Sequence, residues 1–283
     1  MKNVSRFVSV MLISIVVCGC SKGDAVNNEQ VKALLDSTIV EEFDVEEVEL
    51  DSLEIRKRIE TITQAIANGD AKTLAHLTTY PIERPYPLKD IEDSAQMVAY
   101  FDTMFDAPIR EKLRKATAKD WEAVGWRGYM FDDGNLWFQN ELAVVNYVSK
   151  KEQQMIQALK EKEQATLHGS LRGNGWEPVS CYLADDGTLF RLDRKTKKKD
   201  DEYRLAIFHK GAKAGDKPEM ILTGELEIMG SAAEHVYTFQ NDKDVSVSFF
   251  DSAEEEELVM NMEINGKEKS VPVVPCRWLD IIK

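Results

Sequence analysis

From Trp176 to the carboxyl end the chain alternates apolar and polar residues with the two-residue period of strands, and no other feature restricts its fold as tightly. Eight segments read as strands: 179–183, 188–192, 203–209, 220–228, 235–240, 245–250, 258–264 and 268–274. Asp186-Gly187 and Asn265-Gly266 supply residues that tolerate the left-handed conformation, which marks tight hairpins near the two ends of the series. Short strands at this spacing predict a small all-β barrel or sandwich over 173–283. The charge runs Lys195 to Lys199 and Glu254 to Glu257 fall between strands and read as solvated hairpin tips.

The amino-terminal part follows a different period. Leu53, Ile55, Ile59, Ile62, Ala65 and Ile66 share one face of a helix that opens at Asp51 and closes at Asn68-Gly69. Asp70 then caps a second short helix over 71–77. This helix, Gly-Asp turn and second helix, carried by residues 62–77, resembles the opening of NTF2-like (SnoaL-like) domains. The resemblance implies a strongly bent antiparallel sheet curled around helices, with a cone-shaped pocket that in some members holds an acid or base. Pro81, Pro85 and Pro87 then impose an extended loop. Helices are expected over 92–105 and 108–116, and strands over 123–131, 135–139 and 143–148, the first two joined at Asp133-Gly134. Ser149 to Leu167 is charged, with Met155, Ile156 and Leu159 as its aliphatic stripe, and reads as a half-exposed helix ahead of a glycine-rich boundary at 169–175. The expected class is α+β: an NTF2-like domain of helices on a curved antiparallel sheet over 51–150, a linking helix over 151–172, then the all-β part.

The first residues carry no fold. Lys2 and Arg6 precede an apolar run from Phe7 to Val17 and the sequence Val17-Cys18-Gly19-Cys20. This resembles the signal and lipobox of bacterial lipoproteins, which implies cleavage after Gly19, acylation of Cys20 and anchoring in the cell envelope. Ser21 after the lipidated cysteine resembles outer-membrane sorting. Residues 20–50 read as a tether, because seven of the eleven residues from Glu41 to Asp51 are acidic and none is basic. The formal net charge is −14, and loss of Lys2 and Arg6 leaves 34 basic against 50 acidic side chains, a balance of −16. Such a chain is ill suited to nucleic acid, and charge steering favours a basic partner.

Catalytic signatures are missing from the sequence. His76, His168, His209 and His235 lie on separate segments without metal-ligand spacing, so no metal or other cofactor is expected. Gly169-Ser170 is not a nucleophile elbow. Cys181 and Cys276 are a candidate disulfide in an oxidising compartment. The densest constellation is 121–148, with three of the five tryptophans. Alternation along a straight strand would put Trp126 on one face and Arg127 with Tyr129 on the other. The candidate ligand-binding residues are Arg127, Tyr129 and Trp126, with Tyr86 from the proline loop and His76. A core beneath the helices is the competing reading for Trp126. The expected role is non-enzymatic binding of a small molecule or another envelope protein. An enzyme using a cavity acid or base is the first alternative, and an interaction lipoprotein acting through the β part is the second.

Overall fold

The structure, a computed structural model, describes residues 52–197, 201–229, 234–241, 244–251 and 258–283. The expected signal, Cys20, the tether, Asp51, Lys198 and Lys199 of the basic tip and all of the tip at Glu254 to Glu257 lie outside those residues. Leu50–Lys283 is one compact unit, built of an α+β part followed by a closed antiparallel barrel.

Helix α1 (Ser52–Asn68) ends where Gly69 takes φ +80°, and Asp70 caps α2 (Ala71–His76) by accepting from the Thr73 amide at 3.1 Å. Helix α3 (Ser94–Met104) starts on Asp93, whose carboxylate accepts from the Gln96 amide. Pro108 sits in the first turn of α4 (Ala107–Lys115), where its missing N–H costs nothing. These helices cover one face of a four-stranded sheet, β1 (Trp121–Ala123), β2 (Tyr129–Phe131), β3 (Leu136–Gln139) and β4 (Glu141–Val145), paired in chain order. Across it, Trp121, Phe131, Leu136 and Val145 are register neighbours, and all are buried against Ile59, Ile62, Phe101 and Phe105. At the β2–β3 turn Asp132, Asp133 and Gly134 all have positive φ, the chemistry foreseen for Asp133-Gly134.

The charged segment forms α5 (Lys150–Thr166), opened by a reciprocal capping box between Ser149 and Glu152. The barrel is β5 (Glu177–Ala184), β6 (Leu189–Lys195), β7 (Glu202–Phe208), β8 (Met220–Met229), β9 (Glu234–Asn241), β10 (Val245–Asp251), β11 (Leu258–Ile264) and β12 (Lys267–Cys276). Each strand pairs with the next, and β12 returns to β5, an up-and-down closure that leaves no edge. A barrel is therefore formed rather than a sandwich. Its interior is filled by aromatics, with Tyr237 stacked on Phe249 at 4.9 Å and Phe239 lying parallel to both. Gly224 makes room for this stack: a Cβ there would lie 2.1 Å from the Thr238 carbonyl oxygen and 2.5 Å from the Phe239 ring. The interior is apolar, and Thr223, Glu225, Thr238, Ser246 and Ser248 point outward together with exposed Ile221, Phe250 and Val274. Short helix α6 (Trp278–Ile281) and Leu167 with Leu171 cover the outside of β5 to β7, where they enclose Leu189, Ala206 and Phe208. No helix among the described residues is long and apolar enough to cross a membrane.

Candidate functional site

Two places concentrate polar or aromatic chemistry, and they do different things. The first is a strut of buried charge along α5. Glu152 and Glu163 stand at its two ends and are both fully buried, although nothing in the charged composition of this helix sets them apart from its other glutamates. Glu152 takes a bidentate pair of bonds from Arg84, Nε and Nη2 each at 2.9 Å. The same guanidinium donates to the carbonyls of Val145 and Tyr147, so the proline loop, the end of β4 and the start of α5 are one hydrogen-bonded joint.

At the other end Glu163 accepts from Arg191 of β6 at 2.7 Å and from the Tyr86 hydroxyl at 2.7 Å. Asp193 holds Arg191 on one oxygen and Arg204 on the other, both at 2.9 Å. The two guanidiniums and two carboxylates balance, which is the condition for placing charge in an apolar interior. Burial opposes the charge on Arg191, but Asp193 and Glu163 outweigh it and hold the guanidinium firmly protonated. Arg191 also lies over Trp278 at 5.0 Å and Arg204 over Trp176 at 4.5 Å. Burial, before any neighbour, raises the Tyr86 hydroxyl well above the usual phenol range, so it stays a donor to Glu163. Its oxygen also accepts from the Trp278 amide at 3.2 Å. Tyr86, expected beside Arg127, is thus a half-buried connector between the proline loop, α5 and the carboxyl-terminal helix.

The second place is the solvent side of the four-stranded sheet. Glu122, Met130, Trp137 and Val144 are register neighbours on the face opposite the helices, none of them buried. Trp137 lies over the hairpin turn and donates its indole N–H to the Gly134 carbonyl at 2.9 Å. Between β1 and β2 the strand expected over 123–131 is interrupted: Gly125–Arg127 forms a turn of 3₁₀ helix. Alternation therefore does not run through Trp126. The turn is closed by bonds from the Val124 amide to the Gly128 carbonyl at 2.8 Å and from the Gly128 amide to the Gly125 carbonyl at 3.1 Å. Gln139 fixes it to β3 by donating to the Arg127 carbonyl at 3.1 Å. Gly128, at φ +86°, is obligatory, since a Cβ would sit 2.2 Å from the Phe138 carbonyl oxygen.

This turn leaves Trp126 77% exposed, with the Arg127 guanidinium 5.5 Å from its ring. The core reading of Trp126 is overturned by that exposure. Tyr129 packs against the helical core and edge-on to Phe138, so it does not face outward with Arg127. His76 is exposed at the end of α2. Among the candidates, the structure brings Trp126 and Arg127 together and separates Tyr129, Tyr86 and His76 from them. Met130 and Val144, which flank Trp137 on this open face, were missed; the register that places Met130 there follows from the Asp133-Gly134 turn, whereas Val144 reaches Trp137 through the β3–β4 pairing, whose register shifts next to it. Asp132, beside that turn, is held below the usual carboxylate range by Lys112 at 2.7 Å and by Asn135. Among the described residues no cluster of histidine, cysteine and acidic side chains could hold a metal ion. Comparison with known proteins finds no matching family model, no similar curated protein and no similar solved structure.

Proposed function

We propose that this chain is a bacterial envelope lipoprotein, anchored through acylated Cys20, whose folded part is a non-enzymatic binding module for another envelope protein. The anchor rests on Lys2, Arg6 and the Val17-Cys18-Gly19-Cys20 sequence, and the outer-membrane assignment on Ser21. The amino-terminal helices and their sheet are read as a variant of the NTF2-like arrangement, supported by the helix, Gly69-Asp70 turn and second helix.

One observation carries the binding role: a large indole is held in solvent by a turn whose backbone is fixed at four points. Burial of Trp126 would have stabilised the fold, and exposed tryptophan on a rigid support is the residue type that dominates protein contacts. On the same sheet the row of Met130, Trp137 and Val144 is an open face, which suits a protein surface better than an enclosed small molecule. The acidic balance of the chain favours a basic partner. The buried carboxylates, which an enzyme would need free, are occupied by Arg84, Arg191, Arg204 and Tyr86.

The test is site-specific photocrosslinking in the native host, with the crosslinker at position 126 and a control at Thr223 on the outer barrel wall. A discrete protein adduct at 126, absent at 223 and lost on Val144→Glu, is expected. Equal labelling at both positions, or none at 126, would overturn the reading.

A further inference from the structure

The barrel closes by a short ladder. Strand β12 meets β5 only from Val273 opposite Ala184 to Cys276 opposite Cys181, and one member of that ladder, Pro275, has no N–H to give. Cys181 and Cys276 are direct register partners at the end of this seam. Residues opposite each other in an antiparallel pair have Cα atoms about 4.5–5.5 Å apart, inside the window of about 4.4–6.8 Å that a disulfide requires. Their side chains share one face, since both belong to the apolar cluster with Trp278, Leu189 and Phe208. In the structure both are thiols, Cys181 buried and Cys276 half-exposed.

We propose that this pair is a redox modification site, at which a disulfide between Cys181 and Cys276 locks the last strand of the barrel to the first. The accessibility of the two sulfurs orders the chemistry. Burial, more than any neighbour, pushes the Cys181 thiol up, so it is held protonated while Cys276 meets reagents from solvent. An external disulfide, of the kind carried by a dithiol oxidoreductase, is attacked by the Cys276 sulfur. Its S–S bond breaks, a mixed disulfide forms, and one carrier thiol leaves with the Cys276 proton. Cys181 then attacks Cys276 Sγ and expels the second carrier sulfur, which takes the Cys181 proton. Two protein thiols and one carrier disulfide become one protein disulfide and two carrier thiols. Arg191 beside Cys181 eases the negative charge that develops on the attacking sulfur. The enclosed loop is nearly the whole barrel, which places the bond where closure constrains the unfolded chain most.

The experiment incubates the folded full chain with excess oxidised glutathione and maps cysteine peptides without reduction, which keeps Cys18 and Cys20 out of the reading. The expected result is a linked pair of peptides containing Cys181 and Cys276, short of the two thiol hydrogens. The thermal midpoint should exceed that of the dithiothreitol-treated sample by about 10 °C. Cys276→Ser, a change at a half-exposed position, should abolish the linkage and leave Cys181 unmodified. Recovery of both cysteines as thiols, a stable glutathione adduct on Cys276, or linkage only between separate chains would each overturn the proposal.

Discussion

Removal of the Glu152 carboxylate is the perturbation whose cost the structure specifies best. Arg84 and Glu152 have fully buried side chains, so Glu152→Ala strands a guanidinium that water does not reach. Breaking a buried pair from one side costs about 3–5 kcal/mol. Arg84 keeps the carbonyls of Val145 and Tyr147, which argues for the lower part of that range. Loss of the bond from the Ser149 amide to Glu152, at 3.0 Å, adds up to about 1 kcal/mol through the helix cap. A total near 4 kcal/mol would lower the thermal midpoint of a unit this size by roughly 10 °C. Urea unfolding followed by circular dichroism reads the loss directly. The paired replacement Arg84→Met with Glu152→Leu removes both charges and should recover most of it, because an apolar pair of similar volume is often as stable as the ion pair. If Glu152→Ala costs less than about 1 kcal/mol, or if the double variant loses as much as the two single changes together, the joint does not work as described.

Glu163→Ala should be comparably damaging, since it takes from Arg191 one of its two buried carboxylates and leaves the Tyr86 hydroxyl without its acceptor; loss of cooperativity in the same urea melt would confirm it. Gly128→Ala forces a Cβ against the Phe138 carbonyl at positive φ and should cost about 2 kcal/mol or more, whereas Trp126→Ala should change stability by less than about 0.5 kcal/mol. Asp132 has a carboxyl depressed below its ordinary 3.8, mainly by Lys112, so its contribution is complete above that ordinary value and is lost as pH falls through the depressed one. Lys112→Met should therefore shift the acid unfolding midpoint to higher pH, and an unchanged acid limb would refute the pairing.

The barrel strands were legible because each carries its own evidence, a two-residue period bounded by turn residues, and every observed strand overlaps its expected segment. Barrel and sandwich share that alternation, however, and the difference lies in whether the last strand finds the first. That pairing joins Cys181 to Cys276 across nearly the whole β part and leaves no local mark. The helices of the first part were legible through the spacing of their apolar residues and, over 71–77, through the cap Asp70, whereas Asp93 and Ser149 cap their helices in the structure without having been read as caps. Trp126 was misplaced because alternation presumes an unbroken strand, and the warning lay in Gly125 and Gly128, residues that mark bends. Glu152 and Glu163 were illegible for a different reason. On a helix with so many charges any glutamate can be solvated, and their partners, Arg84 and Arg191, are distant in the chain.

Those two glutamates also bear on where function resides. Helix α5 meets the proline loop and sheet through one and the barrel through the other, so the α+β part and the barrel are held by charge pairs at both ends of a single rod. Buried ion pairs are a costly way to gain stability, but their geometry tolerates few alternatives, and a joint made of bidentate arginine bonds fixes an angle as well as a distance. Neither end of the rod offers an unoccupied carboxylate: each has its arginine, and Glu163 its tyrosine as well. The protein has therefore committed its strongest buried chemistry to rigidity. On the proposed reading that rigidity serves the surface it supports, and on the sheet braced by Arg84 the Trp126 side chain, at 77%, is more exposed than Val144.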